Sequence, residues 1–211
     1  MMMTVGYAQR VVTPSLARAV FLAGFGPNRR AVSVHDDLYA RALAVGKGVT
    51  QVVVVAVDVI GLARPFCQAV EAQVRAARPG VHLLVAVTHT HHGPDTLGLW
   101  GPDVGTSGVD RIYMAAIAQA IVACALEAVD AQQPADLRAA NALVTGVAKN
   151  ARDPDVKDET LTCLQFCAAP GGQPLATLLI YPCHPEVLWE TNPHLTSDYC
   201  ASLRTTVEAA T

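Results

Sequence analysis

The sequence QVVVVAVDVI at residues 51–60 decides the fold class. It is rich in β-branched residues, and apolar residues stand at consecutive positions. This pattern is typical of a strand buried on both faces in the middle of a sheet. Residues 64–78 then have apolar side chains at helical spacing, with Pro65 in the first turn and Pro79-Gly80 as a stop. Residues 82–88 (HLLVAVT) are a second buried strand pattern. Strand, helix and strand in this order predict a parallel pair with a right-handed crossover.

A long helix follows this unit. Residues 109–129 have apolar side chains at helical spacing over their whole length, which predicts a buried helix. Ser107 or Asp110 is available as its N-terminal cap. We expect Pro134 to end it.

The last third of the chain makes the predicted sheet mixed. Residues 161–168 and 175–183 are strand patterns joined by the turn sequence PGGQ, which predicts an antiparallel hairpin. Residues 197–211 resemble the opening of a helix beside Asp198, with no strand after it. We therefore expect one α/β domain over residues 1–211, a mixed sheet with flanking helices, truncated at its C-terminus.

Composition excludes several classes of protein. The 211 residues are 52% hydrophobic and 16% charged, which predicts a globular core rather than disorder. The formal charge is -3 and no basic stripe is present, so nucleic acid is not an expected partner. No secretory signal pattern opens the chain, and its purely apolar runs are shorter than the roughly 20 residues of a membrane span.

The cysteines predict a reducing compartment. Most of the six lie within apolar strand or helix patterns, where a free thiol behaves as a small hydrophobic group. Cys163 and Cys167 share one face of a predicted strand, but no second pair follows them, which argues against a zinc site there. We expect reduced thiols and a cytoplasmic protein.

Two histidine motifs follow directly on predicted strands. THTHHGPD at residues 88–95 follows one strand, and PCHP at residues 182–185 follows another. Catalytic groups gather beyond the carboxyl ends of strands in α/β sheets, so the two motifs could meet. In an extended segment His89 and His91 point to one side and His92 to the other.

Neutral imidazole is a good zinc ligand, and a catalytic zinc typically keeps three protein ligands and one open position. Zinc would acidify water and polarise a carbonyl, which suits hydrolysis of amides or esters. Isolated histidines have many other uses, so His35, His82 and His194 are interpreted as structural residues. The motifs alone predict either a metal site or an acid–base site.

The motif THTHHGPD resembles the neutral/alkaline non-lysosomal ceramidase family. Further segments resemble that family in the same order along nearly the whole chain. These are Gly6-Tyr7-Ala8, Thr13-Pro14, residues 34–42 (VHDDLYARA), Asp58, Asn150, Arg152, Cys183-His184-Pro185 and Ser197-Asp198.

The resemblance implies that His89 and His184 are Zn2+ ligands. It implies that His91 lies beside the metal and contacts the substrate or stabilises an oxyanion. Arg152 and Asp198 are carried over as catalytic residues, against interpretations as a surface charge and a helix cap. Asp36 and Asp37 could orient neighbouring groups, since ligating histidines usually donate their second N–H to such partners.

The sequence departs from the family in two ways. The family completes its zinc site with a Glu and a Tyr further along, and it has a Gly-rich segment bearing a serine beyond the second histidine. We therefore expect a fragment, a truncated gene product or a site completed from elsewhere, with Asp95 and Glu190 as the local carboxylates that could substitute. His92, Asp95 and Thr96 replace smaller residues, which makes the pocket mouth more polar and puts ceramide in doubt as the substrate.

Three hypotheses follow from the motifs and the resemblance. The first is a zinc-dependent amidohydrolase acting on a small-molecule amide or lipid. The second is an inactive ceramidase-like module that binds a lipid or protein partner in the same cleft. A hydrolase using serine or cysteine with His91 as base is the third, and no nucleophile-elbow pattern supports it. Apolar surface left by a missing portion would favour self-association.

Overall fold

The computed structural model describes residues 2–211, which form nine strands and three helices. The strands are β1 (Met3–Val11), β2 (Ser33–Val34), β3 (Tyr39–Lys47), β4 (Thr50–Val57), β5 (Val81–Val87), β6 (Gln133–Leu143), β7 (Thr160–Ala168), β8 (Pro174–Ile180) and β9 (His194–Leu195). The helices are α1 (Arg64–Ala77), α2 (Arg111–Asp130) and α3 (Tyr199–Ala210).

Seven strands form one mixed sheet in the order β5-β4-β3-β1-β6-β7-β8, and β2 pairs with β9 separately. The β4–β5 pair is parallel and β7–β8 is antiparallel, which confirms the predicted α/β class and the predicted hairpin. β5 lies at the edge of the sheet, and Leu84 in its centre is 58% exposed. The predicted second buried strand is therefore covered on one face only.

Helices α1 and α2 cover one face of the sheet. Val55 of β4 and Ile117 of α2 are fully buried in the same core cluster. At Gly6 of β1 the strand approaches the helix so closely that a Cβ would collide with the carbonyl of Ala128. This glycine therefore sets the packing distance between sheet and helix.

The opposite face is covered by the β7–β8 hairpin and by α3. Leu43 of β3 packs against Phe166 of β7 in a second, smaller core cluster. The predicted helix opening beside Asp198 is confirmed, since α3 begins at the next residue and Asp198 accepts a hydrogen bond from the Tyr199 N–H. Arg204 of α3 makes a bidentate ion pair with Asp58, which follows β4.

Helix α2 agrees with its prediction at its start and differs at its end. Asp110 rather than Ser107 is the cap, because its carboxylate accepts from the Ile112 and Tyr113 N–H groups. The helix ends at Asp130, and Pro134 lies four residues further on, inside β6. Pro134 therefore opens a strand rather than ending a helix.

By length and composition α2 could also cross a membrane, although no continuous apolar run in it reaches that length. In the structure it packs against β1, β3 and β4. Ile117, Ile121 and Cys124 on its buried face are fully inaccessible. Its place in the core accounts for its apolar composition.

The Tyr113 hydroxyl on α2 is buried and makes no hydrogen bond among residues 2–211. Burial, and then the nearby Asp58 carboxylate, raise the pKa of Tyr113 above its ordinary value. A buried polar group without a partner costs free energy, so we expect Tyr113→Phe to leave the free energy of unfolding unchanged or to raise it by up to about 1 kcal/mol. Urea unfolding would measure this, and a loss of stability above about 1 kcal/mol would contradict it.

Candidate metal centre

Three histidines from two distant parts of the chain converge at the carboxyl end of the sheet. The His184 ring centroid lies 4.8 Å from that of His89 and 4.5 Å from that of His91. The His89 and His91 rings are 5.3 Å apart. One nitrogen from each ring lies within 4.8 Å of the others, so the cluster could hold a metal ion.

His89 reaches the cluster through an unusual backbone conformation. Its φ is 68°, in the left-handed region that residues other than glycine rarely adopt. The backbone N–H donates to Val59 O at 3.1 Å, and ring Nδ1 lies 2.5 Å from Ile60 O. Since a carbonyl only accepts, Nδ1 carries the proton and Nε2 keeps its lone pair for a metal.

His91 has no hydrogen-bond partner on either ring nitrogen among residues 2–211, although both nitrogens are buried. Burial, followed by the neighbouring His184 and His89 rings, lowers the pKa of His91 to about 4. The imidazole is therefore neutral at pH 7 with a free lone pair. Buried polar atoms without partners are rare, and here they fit a site that holds a cation or a substrate group.

Glu186, which neither histidine motif singles out, brings a carboxylate to the cluster. Its Oε2 lies 3.1 Å from His184 Nδ1 and 3.6 Å from His91 Nδ1. The signal was present, since Glu186 stands two residues after a predicted ligand in the same loop. Three imidazoles and one carboxylate are donors that suit zinc.

His92 turns away from the cluster, as predicted, and is fully buried. Arg29 Nη2 donates to His92 Nδ1 at 3.4 Å, and His92 Nε2 lies 3.5 Å from Asp198 Oδ2. Although burial raises the pKa of Asp198, the contact with His92 and backbone N–H groups at Leu188 and Tyr199 lower it below its ordinary value. Asp198 thus caps α3 and supports His92, and its predicted catalytic role stays a prediction.

Arg29 ties together the loops around the cluster. Its Nη1 donates to the carbonyl of Ala23 at 3.0 Å and to that of His91 at 3.1 Å. Its Nη2 donates to the Asn192 carbonyl at 3.2 Å. One charged side chain therefore fixes the 23–29 loop, the first histidine motif and the loop that follows the second.

An aromatic wall stands beside the cluster. The Phe25 ring contacts His91 edge-on at a centroid distance of 5.1 Å and Trp189 at 5.3 Å. Trp189 is 57% exposed, and Val187 and Leu188 before it are also exposed. This side of the cluster therefore offers an apolar surface to a ligand.

Arg152 makes no polar contact with the three histidines within residues 2–211. Its backbone N–H donates to Asn150 Oδ1 at 3.0 Å in the exposed loop between β6 and β7. Within residues 2–211 its guanidinium makes no hydrogen bond or ion pair. Its catalytic role stays a prediction from the resemblance.

The carboxylates considered as substitutes or orienting groups are engaged elsewhere. Asp36 accepts from Ser197 N at 3.0 Å, and Asp37 accepts from Thr13 Oγ1 at 2.7 Å. Asp95 is buried and accepts five backbone N–H groups, from Leu97, Gly98, Leu99, Trp100 and Gly108. These bonds occupy both oxygens. Asp95 therefore holds the loop 97–108 in place and is not available as a metal ligand. Glu190 is exposed, and its backbone carbonyl accepts from Arg29.

The histidines interpreted as structural lie outside the cluster. His35 Nδ1 contacts Asp36 at 2.8 Å, and His194 Nδ1 contacts Ser33 Oγ at 2.7 Å. His82 is exposed on edge strand β5. None of the three belongs to the group that could hold a metal within residues 2–211.

No protein-family model and no curated protein sequence matches the chain. Among solved structures, neutral ceramidase from Pseudomonas aeruginosa matches 94% of this chain with a TM-score of 0.80 and 21% sequence identity. The chain has the fold of part of neutral ceramidase. A structure described as a ceramidase complexed with C2 matches the same share, with a TM-score of 0.79 and 21% identity.

This likeness confirms the resemblance predicted from the two histidine motifs. In both matches the aligned part covers 34% of the ceramidase chain, so this chain spans about one third of the length of those proteins. At 21% identity the likeness establishes the fold, and function has to be argued from the site.

Proposed function

We propose that this protein is, or forms part of, a zinc-dependent hydrolase that cleaves the amide bond of a lipid. The observation that carries the proposal is the meeting of His89, His91 and His184, with both buried His91 nitrogens unpaired. The neutral ceramidase fold supports the choice of an amide lipid.

His89 and His184 would hold the metal. The Ile60 carbonyl fixes the His89 tautomer, which leaves the Nε2 lone pair free for a metal. A bound zinc would supply Lewis acidity toward an amide carbonyl and toward water. The neutral His91 ring could donate one N–H to the oxyanion that forms as the amide is attacked.

The surroundings of the cluster support a lipid amide over a polar one. Phe25 and Trp189 form an apolar wall against His91. An acyl chain placed along this wall would bury apolar surface, at about 25 cal/mol per Å². His92 and Asp95 were expected to make the pocket mouth more polar. Both are buried, so neither adds polar surface there.

One observation favours the second candidate, a non-catalytic module that binds a lipid or protein partner. Arg152, the cation carried over from the family, is exposed and has no polar side-chain contact within residues 2–211. In such a module the cleft would keep its shape without turnover. For either candidate, the cytoplasmic location of the protein stays a prediction from its six cysteines.

Zinc content and turnover of the purified chain test the proposal together. We expect about one zinc per chain by inductively coupled plasma mass spectrometry, and zinc-dependent release of fatty acid from a fluorescent ceramide. Chelation should abolish the release and added zinc should restore it. Bound zinc without turnover would favour the non-catalytic module, and a folded chain that binds no zinc would contradict the proposal.

A further inference from the structure

We propose that a groove between residues 11–21 and the first two turns of α2 binds an amphiphile with a single apolar chain and a carboxylate, such as a medium-chain fatty acid. The groove has a volume of about 380 Å³. His89, His91 and His184 are not among the residues that line it. This binding site is therefore separate from the metal centre and does not depend on the proposed function.

The groove offers an apolar surface that is open to solvent. Val12, Tyr113 and Ile117 are buried in the core and line its inner side. Val11 and Ile112 also line it, and they are 55% and 63% exposed. Its volume falls within the roughly 300 to 1,000 Å³ that is usual for small-molecule sites with apolar walls. An alkyl chain in the groove would remove this apolar surface from water.

Both walls of the groove are held in place without a ligand. At the start of the 11–21 segment, Thr13 Oγ1 donates to Asp37 Oδ1 at 2.7 Å. At its end, the Asp95 N–H donates to the Phe21 carbonyl at 2.8 Å. The opposite wall belongs to α2, which packs on β1, β3 and β4. Since the groove is already formed, a ligand does not have to order a loop when it binds.

Arg18 brings a positive charge to the groove. Its side chain is 68% exposed, and Nη1 lies 4.0 Å from Asp110 Oδ2, which is too long for a hydrogen bond. Asp110 Oδ1 accepts from the Ile112 and Tyr113 N–H groups, so this carboxylate is committed to capping α2. Within residues 2–211 the Arg18 guanidinium makes no hydrogen bond. Its donors are therefore available for a ligand carboxylate, which a guanidinium can bind with two parallel hydrogen bonds.

The charges and the apolar walls together select the class of ligand. Arg18 is the only base and Asp110 the only acid among the lining residues within 2–211. Because Asp110 is already used by the helix, an anionic head group gains more at this groove than a neutral one. The remaining lining is mostly aliphatic, which suits an alkyl chain. A single-chain carboxylate satisfies both features at once.

Titration with octanoate and with neutral 1-octanol, followed by ¹H–¹⁵N NMR, tests this site. We expect octanoate to shift the amide signals of residues 11–21 and of the first two turns of α2 in a saturable way. Arg18→Gln should weaken octanoate binding at least about 10-fold and leave 1-octanol binding unchanged, because only the carboxylate loses charge-assisted hydrogen bonds. Ala116→Trp, which fills the groove from an exposed position of α2, should weaken binding of both ligands at least about 10-fold.

The same helix provides the matched controls. Arg111→Gln and Ala115→Trp change exposed residues that do not line the groove, so both should bind octanoate as the wild type does. Circular dichroism would show that each variant is folded. His184→Ala should also keep the wild-type octanoate Kd, since the metal centre takes no part in this binding.

Four results would overturn the proposal. They are a wild-type chain without saturable octanoate binding, unchanged octanoate affinity in Ala116→Trp, unchanged octanoate affinity in Arg18→Gln, and loss of octanoate binding in His184→Ala. The last result would show that the carboxylate binds at the histidine cluster. A chain that binds no zinc would contradict the proposed function and leave the groove site intact.

Discussion

Replacing either His184 or His89 with alanine is expected to remove bound zinc, with a Kd raised by more than about 100-fold. His184 centres the cluster, since its ring lies within 5 Å of both other histidine rings. His89 contributes the nitrogen whose tautomer the Ile60 carbonyl fixes. Removal of one donor leaves a site with too few ligands to hold the metal against solvent. Mass spectrometry of the native protein and chelator competition would measure the loss.

The chain offers matched controls for these variants. His82→Ala removes an exposed histidine on β5, and His194→Ala removes one whose ring nitrogen contacts Ser33. Both controls should retain wild-type zinc content and thermal stability. Equal zinc content in His184→Ala and His82→Ala would show that the cluster is not the metal site.

The second large effect is on stability. Arg204→Ala is expected to lower the free energy of unfolding by about 3 to 5 kcal/mol, because it leaves the buried Asp58 carboxylate without its charged partner, although the Tyr39 N–H still donates to it. Asp58 is 1% exposed, and each of its oxygens accepts from Arg204 at 2.9 Å. The same guanidinium donates to Ser197 Oγ at 2.6 Å, so the substitution also loosens the start of α3. Urea unfolding followed by circular dichroism would measure the difference.

An exposed ion pair provides the comparison for this substitution. Arg78 also contacts both oxygens of a carboxylate, Asp130, but the side chains of this pair are 46% and 57% exposed. Solvent screens such a pair, so Arg78→Ala should lower the free energy of unfolding by no more than about 1 kcal/mol. Equal losses in Arg78→Ala and Arg204→Ala would show that burial of Asp58 does not govern its contribution.

Much of the sheet could be predicted because its strands are locally distinctive. β4, α1 and the β7–β8 hairpin have strong patterns of β-branched residues, helical spacing and turn residues, and all of them were found. β1, β3 and β6 were not predicted. The sequence of β6, QPADLRAANAL, lacks the alternation of a half-buried strand, and most of it is exposed. It is a strand because β1 pairs with Gln133 and Pro134 and β7 pairs with residues 135–143, which is a property of the assembled sheet.

The candidate site also has some features that local sequence patterns predict and others that they do not. Local sequence patterns were enough to predict which residue types could bind a metal, that His89 and His184 follow strands and that His89 and His91 point to one side, because imidazoles placed after strand patterns are visible locally. The tertiary structure alone shows that His184 meets these two rings, that Glu186 approaches the cluster and that both oxygens of Asp95 are already occupied. The first two facts depend on contacts between segments about ninety residues apart and on a positive φ at His89, and the third depends on the fold of the loop 95–108. No local pattern encodes them.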